Sequence, residues 1–116
     1  MLQPSPTFRL KAHVAGNGKA YYDEWIESLD RNVKFDVLRQ VKKLTIGLGK
    51  QKNLGDKLWE LKIEEGPGYR AYFYHDGSEV ILLLAGSDKK KQERTIELAR
   101  KLIREIEEDK TKQKGS

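Results

Sequence analysis

The feature that most constrains the fold is a set of three strand-like segments in the second half of the chain. Apolar and polar residues alternate over Leu58–Glu64 and again over Arg70–Tyr74, and this alternation predicts β-strands. Val80–Ala85 is an unbroken apolar run, which is typical of a central strand covered on both faces. Asp76-Gly77, between the last two segments, predicts a two-residue hairpin turn. Together the segments predict three antiparallel strands.

The loop between the first two strands decides which side chains share a face. A five-residue loop over 64–68 pairs Lys62 with Arg70, whereas a four-residue loop sets Ile63 against Arg70. We choose the five-residue loop because it gathers the apolar side chains on one face. That apolar face carries Trp59, Leu61, Ile63, Ala71 and Phe73. The other face carries Lys62, Arg70, Tyr72 and Tyr74, and we expect Arg70 to be exposed there and to add little stability.

The segments before these strands predict an edge strand followed by a helical hairpin. Thr7–Val14 alternates as an edge strand does. Apolar residues then recur at helical spacing over 21–29 and 37–48, and the short link between the two runs predicts antiparallel helices. Lys50–Asp56 is predicted to be a polar loop. The predicted caps and stops of the hairpin are Asn17, Asp30 or Asn32, Gly47 and Gly49.

The segments after the strands predict a last helix over Lys89–Glu108. Gly86 is expected to end the third central strand, and Ser87 or Asp88 to cap the helix. The order is strand, two helices, three antiparallel strands and helix, which predicts a small α+β fold. With 116 residues we expect one domain over 1–116, with a flexible leader at 1–6 and a flexible tail at 109–116.

Composition limits the classes of function. The net charge of +5 favours nucleic acid or an acidic protein as a partner. The absence of cysteine excludes disulfides and thiolate chemistry, and no His/Asp/Glu cluster has the spacing of metal ligands, so we expect no metal and no cofactor. No apolar run approaches the roughly 18 residues of a membrane span. The first ten residues lack an apolar signal region, and we expect a cytoplasmic protein.

Three lysines, Lys89, Lys90 and Lys91, stand in the predicted first turn of the last helix. The helix dipole disfavours cations there by about 0.3–1 kcal/mol each. They either form an anion site with free backbone N–H groups or are a solvated basic run, and spacing alone leaves both open. Arg70, near the same end of the sheet, favours the anion site.

Lysine, arginine and tyrosine side chains can support phosphodiester cleavage without a metal. RNA carries its own nucleophile, the 2′-hydroxyl. Cleavage needs that hydroxyl aligned and deprotonated, the charge on the phosphorane stabilised, and the leaving 5′-oxygen protonated. Simple binding of RNA needs the same residue types, so the pattern alone does not separate catalysis from binding.

The segment LWELKIEEGPGYRAYFYHDGSEVILLLAGSDKKKQERTIELARKL resembles the RelE/ParE toxin superfamily, in particular the addiction-module killer proteins of HigB-like type. The GPGYR and DKKKQ motifs carry the resemblance together, and it covers about residues 21–101. It implies a RelE-like fold, an antiparallel-dominated sheet with an N-terminal helical hairpin and a C-terminal helix. It also implies a toxin with a small cognate antitoxin, often of helix-turn-helix type.

The resemblance assigns roles by position. RelE-like members cut mRNA on the translating ribosome. Arg70 matches their arginine and Lys62 a strand lysine, while Lys89 falls where another basic catalytic residue lies. By residue type we also expect contacts with RNA from Lys57, Tyr72, Tyr74, Lys90, Lys91 and Gln92. Two departures are visible: the last predicted helix has no tyrosine, and Glu60 stands where other members have lysine.

Two other functions remain open on the same residues. ParE-like members of the superfamily poison DNA gyrase and need no enzymatic activity, and a non-toxic RNA-binding domain would use the same basic residues. In either toxin reading we expect the antitoxin to cover the cleft at Arg70 or to displace the last helix, and we expect no membrane partner.

Overall fold

The computed structural model describes residues 7–64 and 66–114, which form a five-stranded sheet and three α-helices. The strands are β1 (Arg9–Ala12), β2 (Lys50–Gly55), β3 (Leu58–Ile63), β4 (Tyr69–Asp76) and β5 (Val80–Asp88). The helices are α1 (Tyr21–Ser28), α2 (Arg31–Lys42) and α3 (Gln92–Lys114). In space the strands follow the order β1-β5-β4-β3-β2. β1 runs parallel to β5, and the other neighbours are antiparallel. The α+β class, the edge strand and the C-terminal helix are therefore confirmed.

The predicted register of the central hairpin is confirmed. Lys62 lies opposite Arg70 and Leu61 opposite Ala71, as the five-residue loop requires. One sheet face packs against the helical hairpin of α1 and α2, and we therefore call it the hairpin face. The helices contact it through Tyr22, Ile26, Val37 and Val41. Its strand residues are the buried Leu61, Ile63, Ala71 and Phe73 with the half-buried Trp59. The alternation predicted this apolar face correctly, because the amphipathic helices α1 and α2 cover it with their apolar sides.

The opposite face, which we call the α3 face, is also covered. Leu58, Tyr72 and Leu84 pack there against the apolar stripe of α3. That stripe consists of Ala99, Leu102, Ile103 and Ile106. The prediction of an accessible polar face at Tyr72 and Tyr74 is therefore wrong: the two residues are 0 % and 3 % exposed. The stripe of α3 needs an apolar partner, and the tyrosine rings supply it.

The predicted loop at Lys50–Asp56 is wrong, because Lys50–Gly55 is the edge strand β2. It pairs antiparallel with β3, with Lys50 opposite Lys62. An edge strand whose residues are mostly exposed needs few apolar side chains, so it gives little alternation signal. The turn into β3 uses Asp56 and Lys57, both at positive φ.

Two predicted boundaries of β5 are wrong. The hairpin before it has a three-residue loop, 77–79, with Asp76 paired to Val80, rather than a two-residue turn. Gly86 does not end the strand, which continues to Asp88. A Cβ atom at Gly86 would lie 2.0 Å from Cε3 of the Trp25 ring. Gly86 is therefore needed for close packing of α1 on the sheet.

The helix boundaries also differ in part. α1 begins at Tyr21, and the Asn17 side chain does not cap it but accepts a hydrogen bond from the Lys19 N–H at 3.0 Å. α2 follows Asp30 and continues into a 3₁₀ turn, Lys43–Ile46, that ends at Gly47 in the left-handed region, as predicted for that glycine.

The end of the chain is more helical than predicted. Lys89–Lys91 forms a 3₁₀ turn capped by Asp88, and α3 continues past Glu108 to Lys114. The tail predicted at 109–116 is therefore helical over 109–114, while 115–116 and the leader at 1–6 lie outside the described residues. The single domain over 1–116 stays a prediction.

Candidate functional site

Four opposed residues form a row across the α3 face. Lys50 on β2 lies opposite Lys62 on β3, Lys62 opposite Arg70 on β4, and Arg70 opposite Ser87 on β5. Opposed residues of an antiparallel pair point to the same face, and like charges placed opposite each other destabilise the sheet. Three adjacent cations therefore need anionic groups nearby, and Glu60 and Glu64 supply two. We call Lys50, Lys62, Arg70 and Ser87 the cationic row.

Arg70 is buried rather than exposed as predicted. It is 8 % exposed, and its Nε lies 3.6 Å from Oε1 of Glu60, which is 6 % exposed. Nη1 of Arg70 donates to the Tyr69 carbonyl at 3.4 Å, whereas Nε has no hydrogen-bond partner. Removing one partner of a buried ion pair leaves an uncompensated charge, so Arg70 contributes to the fold as well as to the site.

Further buried polar groups surround this ion pair. The Tyr72 hydroxyl and the Ser87 Oγ are buried next to each other beside Glu60, and Gln92 Nε2 donates to Oε2 of Glu60 at 3.3 Å. We call Glu60, Arg70, Tyr72, Ser87 and Gln92 the polar cluster. A buried network of polar and charged side chains is rare in a protein core.

The protonation state of Tyr72 follows from this environment. Burial raises the pKa of its phenol, and the neighbouring Glu60 carboxylate raises the pKa further. Tyr72 therefore stays neutral at physiological pH. A neutral phenol can donate a proton or a hydrogen bond but cannot act as the base.

The two lysines of the cationic row share one carboxylate. Nζ of Lys50 lies 2.5 Å from Oε2 of Glu64, and Nζ of Lys62 lies 3.6 Å from Oε1 of the same residue. The hydrogen bond from Lys50, followed by the charge of Lys50, lowers the pKa of Glu64, so this carboxylate is ionised at neutral pH. Two ammonium groups against one carboxylate leave an excess positive charge beside Arg70.

Lys89, Lys90 and Lys91 follow directly after the end of β5 and are exposed. Because Ser87 of the same strand lies opposite Arg70, this 3₁₀ turn is at the sheet end that carries Arg70. One of its backbone N–H groups, that of Lys91, already donates to Oδ1 of Asp88 at 3.1 Å. The side chains, rather than free N–H groups, are therefore what this turn offers to an anion.

Two residues predicted to contact RNA lie away from this site. Tyr74 is opposite Leu82, four positions along β4 from Arg70, or about 13 Å at the usual strand rise. Its hydroxyl donates to Oε2 of Glu107 at 3.0 Å, and Lys57 forms an ion pair with the same carboxylate. The structure thus groups Lys57 and Tyr74 with the end of α3 and separates them from the cationic row.

The structure adds residues to the site that the sequence analysis missed. Lys50 was missed because its strand was assigned to a loop. Lys50 and Lys52 are two residues apart, which is the spacing of residues on one face of a strand. Glu60 was noted only as a departure, and Ser87 only as a possible cap. The alternation of Leu58, Glu60 and Lys62 on one face was the signal that could have placed Glu60 beside Arg70.

The described part of the chain has neither a metal-binding cluster nor a membrane-spanning helix. Over 7–64 and 66–114, no group of three or more His, Asp or Glu side chains could hold a metal ion. Within the same ranges, no helix combines the length and the hydropathy needed to cross a membrane.

Comparison with known proteins gives one family and one relative. Residues 24–110 match the model of the family described as "Phage derived protein Gp49-like (DUF891)". A protein of Haemophilus influenzae (strain Rd), which carries the description "Uncharacterized protein", is 33 % identical over 87 residues. That alignment covers 73 % of this chain and 88 % of the relative. No solved structure matches the chain.

Proposed function

Because the chain belongs to the phage-derived Gp49-like family, a RelE-like toxin family of addiction modules, we propose that it is the toxin of a type II toxin–antitoxin pair. Within that class we assign it to the HigB-like type with a RelE-like fold. The GPGYR and DKKKQ segments support this assignment, because they lie where the hairpin loop enters β4 and where β5 leads into α3.

The reaction that we propose is ribosome-dependent cleavage of mRNA. The 2′-hydroxyl of RNA attacks the adjacent phosphorus, the bond from phosphorus to the 5′-oxygen breaks, and the 5′-oxygen takes up a proton. The products are a 2′,3′-cyclic phosphate and a 5′-hydroxyl end. The observation that carries this proposal is the cationic row, which places three positive groups side by side at the edge of a buried polar cluster.

Each residue has a defined role in this reaction. Arg70 stabilises the phosphorane charge through a planar two-point contact. Lys62, whose ammonium group is paired with Glu64, holds the phosphate and can give a proton to the leaving 5′-oxygen, while the 2′-hydroxyl loses its proton to solvent. Lys89 contacts the same phosphate. Lys90, Lys91 and Gln92 bind the neighbouring backbone.

Tyr72 and Tyr74 have smaller roles in this reaction than the sequence predicted. Both rings are buried under α3, so they can stack on a base only if α3 moves. The neutral Tyr72 phenol beside Arg70 is positioned to donate a hydrogen bond within the polar cluster.

The partner that we propose is a small antitoxin, of the helix-turn-helix type. An antitoxin segment that covers the cationic row would block access of RNA. Displacement of α3 would act differently, because Gln92 would release Glu60 and the apolar stripe of α3 would be exposed.

The location that we propose is the cytoplasm, because the proposed cleavage of mRNA takes place on ribosomes.

A second candidate is inhibition of DNA gyrase without enzymatic activity. The observation in its favour is that Arg70 is already paired with Glu60 and almost inaccessible, which suits a structural role better than contact with a phosphate. A non-toxic RNA-binding domain would instead use the exposed lysines of the cationic row and of the 3₁₀ turn.

The test compares cleavage of mRNA by the purified protein on translating ribosomes with its effect on DNA supercoiling by gyrase. We expect cut mRNA with cyclic phosphate ends and no effect on gyrase. Lys62→Ala should slow cleavage strongly, whereas Lys57→Ala, the matched control in the turn before β3, should cut as the unmodified protein does. Gyrase inhibition without mRNA cleavage would overturn the proposed function.

A further inference from the structure

A second cationic feature lies beside the cationic row, on the α2 side of the sheet edge. It is a cleft of about 400 Å³ between α2 with the 3₁₀ turn and loop that follow it, the edge strand β2, and its neighbour β3. Its charged and polar lining consists of Gln40, Lys43, Lys50, Lys62 and Glu64. Three lysines and one glutamate give this lining a formal charge of +2.

The cleft holds more positive charge than its own carboxylate can neutralise. Glu64 is shared between Lys50 and Lys62, at 2.5 and 3.6 Å. Lys43 forms no ion pair with any carboxylate among residues 7–64 and 66–114. An unpaired ammonium group on the wall of a concave site is available to a ligand, and the ligand that suits it is an anion.

The cleft and the cationic row are continuous, because Lys50 and Lys62 belong to both. The positive groups therefore follow a path from Arg70 through Lys62 and Lys50 to Lys43. Adjacent strands lie about 4.8 Å apart, so the strand part of this path alone spans about 10 Å. A path of this length exceeds what one phosphate needs and fits a chain of phosphates.

We propose that the cleft is a phosphate subsite, in which Lys43 and Lys50 bind the backbone of single-stranded RNA away from the bond at Arg70. This inference rests on the proposed function and extends it, because it names where the substrate strand leaves the cleavage centre. Gln40 offers an amide that can donate to a phosphate oxygen or to a base edge. Among the described residues, none of α3 lines the subsite, so the subsite is accessible to RNA while α3 covers the polar cluster.

The experiment measures binding of a fluorescent single-stranded RNA whose 2′-hydroxyls are methylated, so that it cannot be cut. Lys43→Ala is compared with Lys42→Ala, the neighbouring exposed lysine that does not line the cleft. Affinity is measured at several salt concentrations from about 50 to 200 mM. Loss of one phosphate contact on a single strand should reduce the steepness of log K against log salt by about 0.7.

We expect Lys43→Ala to bind RNA several-fold more weakly with a shallower salt dependence, and Lys42→Ala to match the unmodified protein. Charge reversal should enlarge the contrast, with Lys43→Glu weaker than Lys42→Glu. Equal losses for the two lysines would overturn the subsite, since they would show only an effect of net charge. Failure of the unmodified protein to bind this RNA would also overturn it.

Failure of the subsite is distinguishable from failure of the proposed function. If Lys43→Ala has no effect on RNA binding while the unmodified protein still cuts mRNA on ribosomes, the subsite is wrong and the function stands. If the unmodified protein neither binds RNA nor cuts mRNA, both are wrong. Thermal melting of each variant checks folding, and both lysines are exposed, so neither substitution should unfold the chain.

Discussion

The two faces of the sheet are both covered by helices, yet they bury different kinds of side chain. The hairpin face encloses Leu61, Ile63, Ala71 and Phe73 with apolar residues of α1 and α2. The α3 face also buries apolar residues, Leu58 and Leu84, under α3. Near the first residues of α3, however, it buries the polar cluster.

This difference separates the side chains that are buried for stability alone from those to which the proposed function assigns chemistry. On the hairpin face, the removal of each apolar side chain from water favours folding. On the α3 face the buried Arg70 is paired with Glu60, and the buried Tyr72 hydroxyl interacts with Glu60 and Ser87. Removing these polar groups from water costs free energy, which their mutual interactions must offset.

The largest expected effect is on the polar cluster. Arg70→Ala should lower the free energy of unfolding by about 3–5 kcal/mol, because it leaves the buried Glu60 carboxylate unpaired. Adding Glu60→Gln in the same chain should restore much of that loss, since it removes the orphaned charge. Urea unfolding of the single and double variants measures both values. An unchanged stability for Arg70→Ala would mean that the ion pair is open to water.

A smaller effect is expected on the hairpin face. Gly86→Ala places a methyl group within the Trp25 ring and should destabilise the fold by about 1–3 kcal/mol through overpacking. Gly16→Ala is the matched control, because its added carbon would make only an ordinary contact, 3.8 Å from Glu105. Equal unfolding curves for the two variants would show that α1 is not held tightly against the sheet.

The pH dependence of stability should reflect the hairpin face through His75. Its ring meets Phe8, Trp59 and Phe73, and burial lowers its pKa below the ordinary value of 6.5. The unfolded chain then binds more protons, so stability should fall as the pH drops below about 6.5.

Replacement of this histidine should make that dependence shallower, and His75→Gln is the variant to use. His13, whose pKa is also lowered chiefly by burial, should account for the remaining slope. The measurement is thermal unfolding between pH 5 and 8. A slope that His75→Gln leaves unchanged would assign the effect to other groups.

The smallest expected effect is at Ser87. Its Oγ is buried beside the Tyr72 hydroxyl and forms no hydrogen bond with a charged partner among the described residues, so Ser87→Ala should lower the free energy of unfolding by no more than about 1 kcal/mol. Urea unfolding measures this value. A loss of about 3 kcal/mol or more would show that Ser87 holds the ion pair of Arg70 and Glu60 in place.

The sequence was sufficient to predict which residues the hairpin face buries, but not which residues the α3 face buries. Alternation in β3 and β4 gave the register and the apolar set, because a slip of one residue would expose Leu61 and Phe73. The same alternation assigned Tyr72 and Arg70 to an open polar surface, since local pattern carries no information about how α3 docks. Only the tertiary contact of α3 shows that these residues are buried.

The candidate site was predicted in part for the same reason. Arg70 and Lys62 were paired correctly across the hairpin because the register fixed them. Lys50 could not be added while its strand was assigned to a loop. Lys57 and Tyr74 were joined to the site by residue type alone, and the strand direction places them at the other end of the sheet.

The most direct test of the central claim separates the role of Arg70 in folding from its role in chemistry. The double variant Arg70→Ala/Glu60→Gln lacks both buried charges and should remain folded in a thermal melt. Its cleavage of mRNA on purified translating ribosomes should nevertheless fall by about 100- to 1000-fold, because the phosphorane loses its charge contact. Cleavage at the rate of the unmodified protein by the folded double variant would contradict the claim that the α3 face holds the catalytic site.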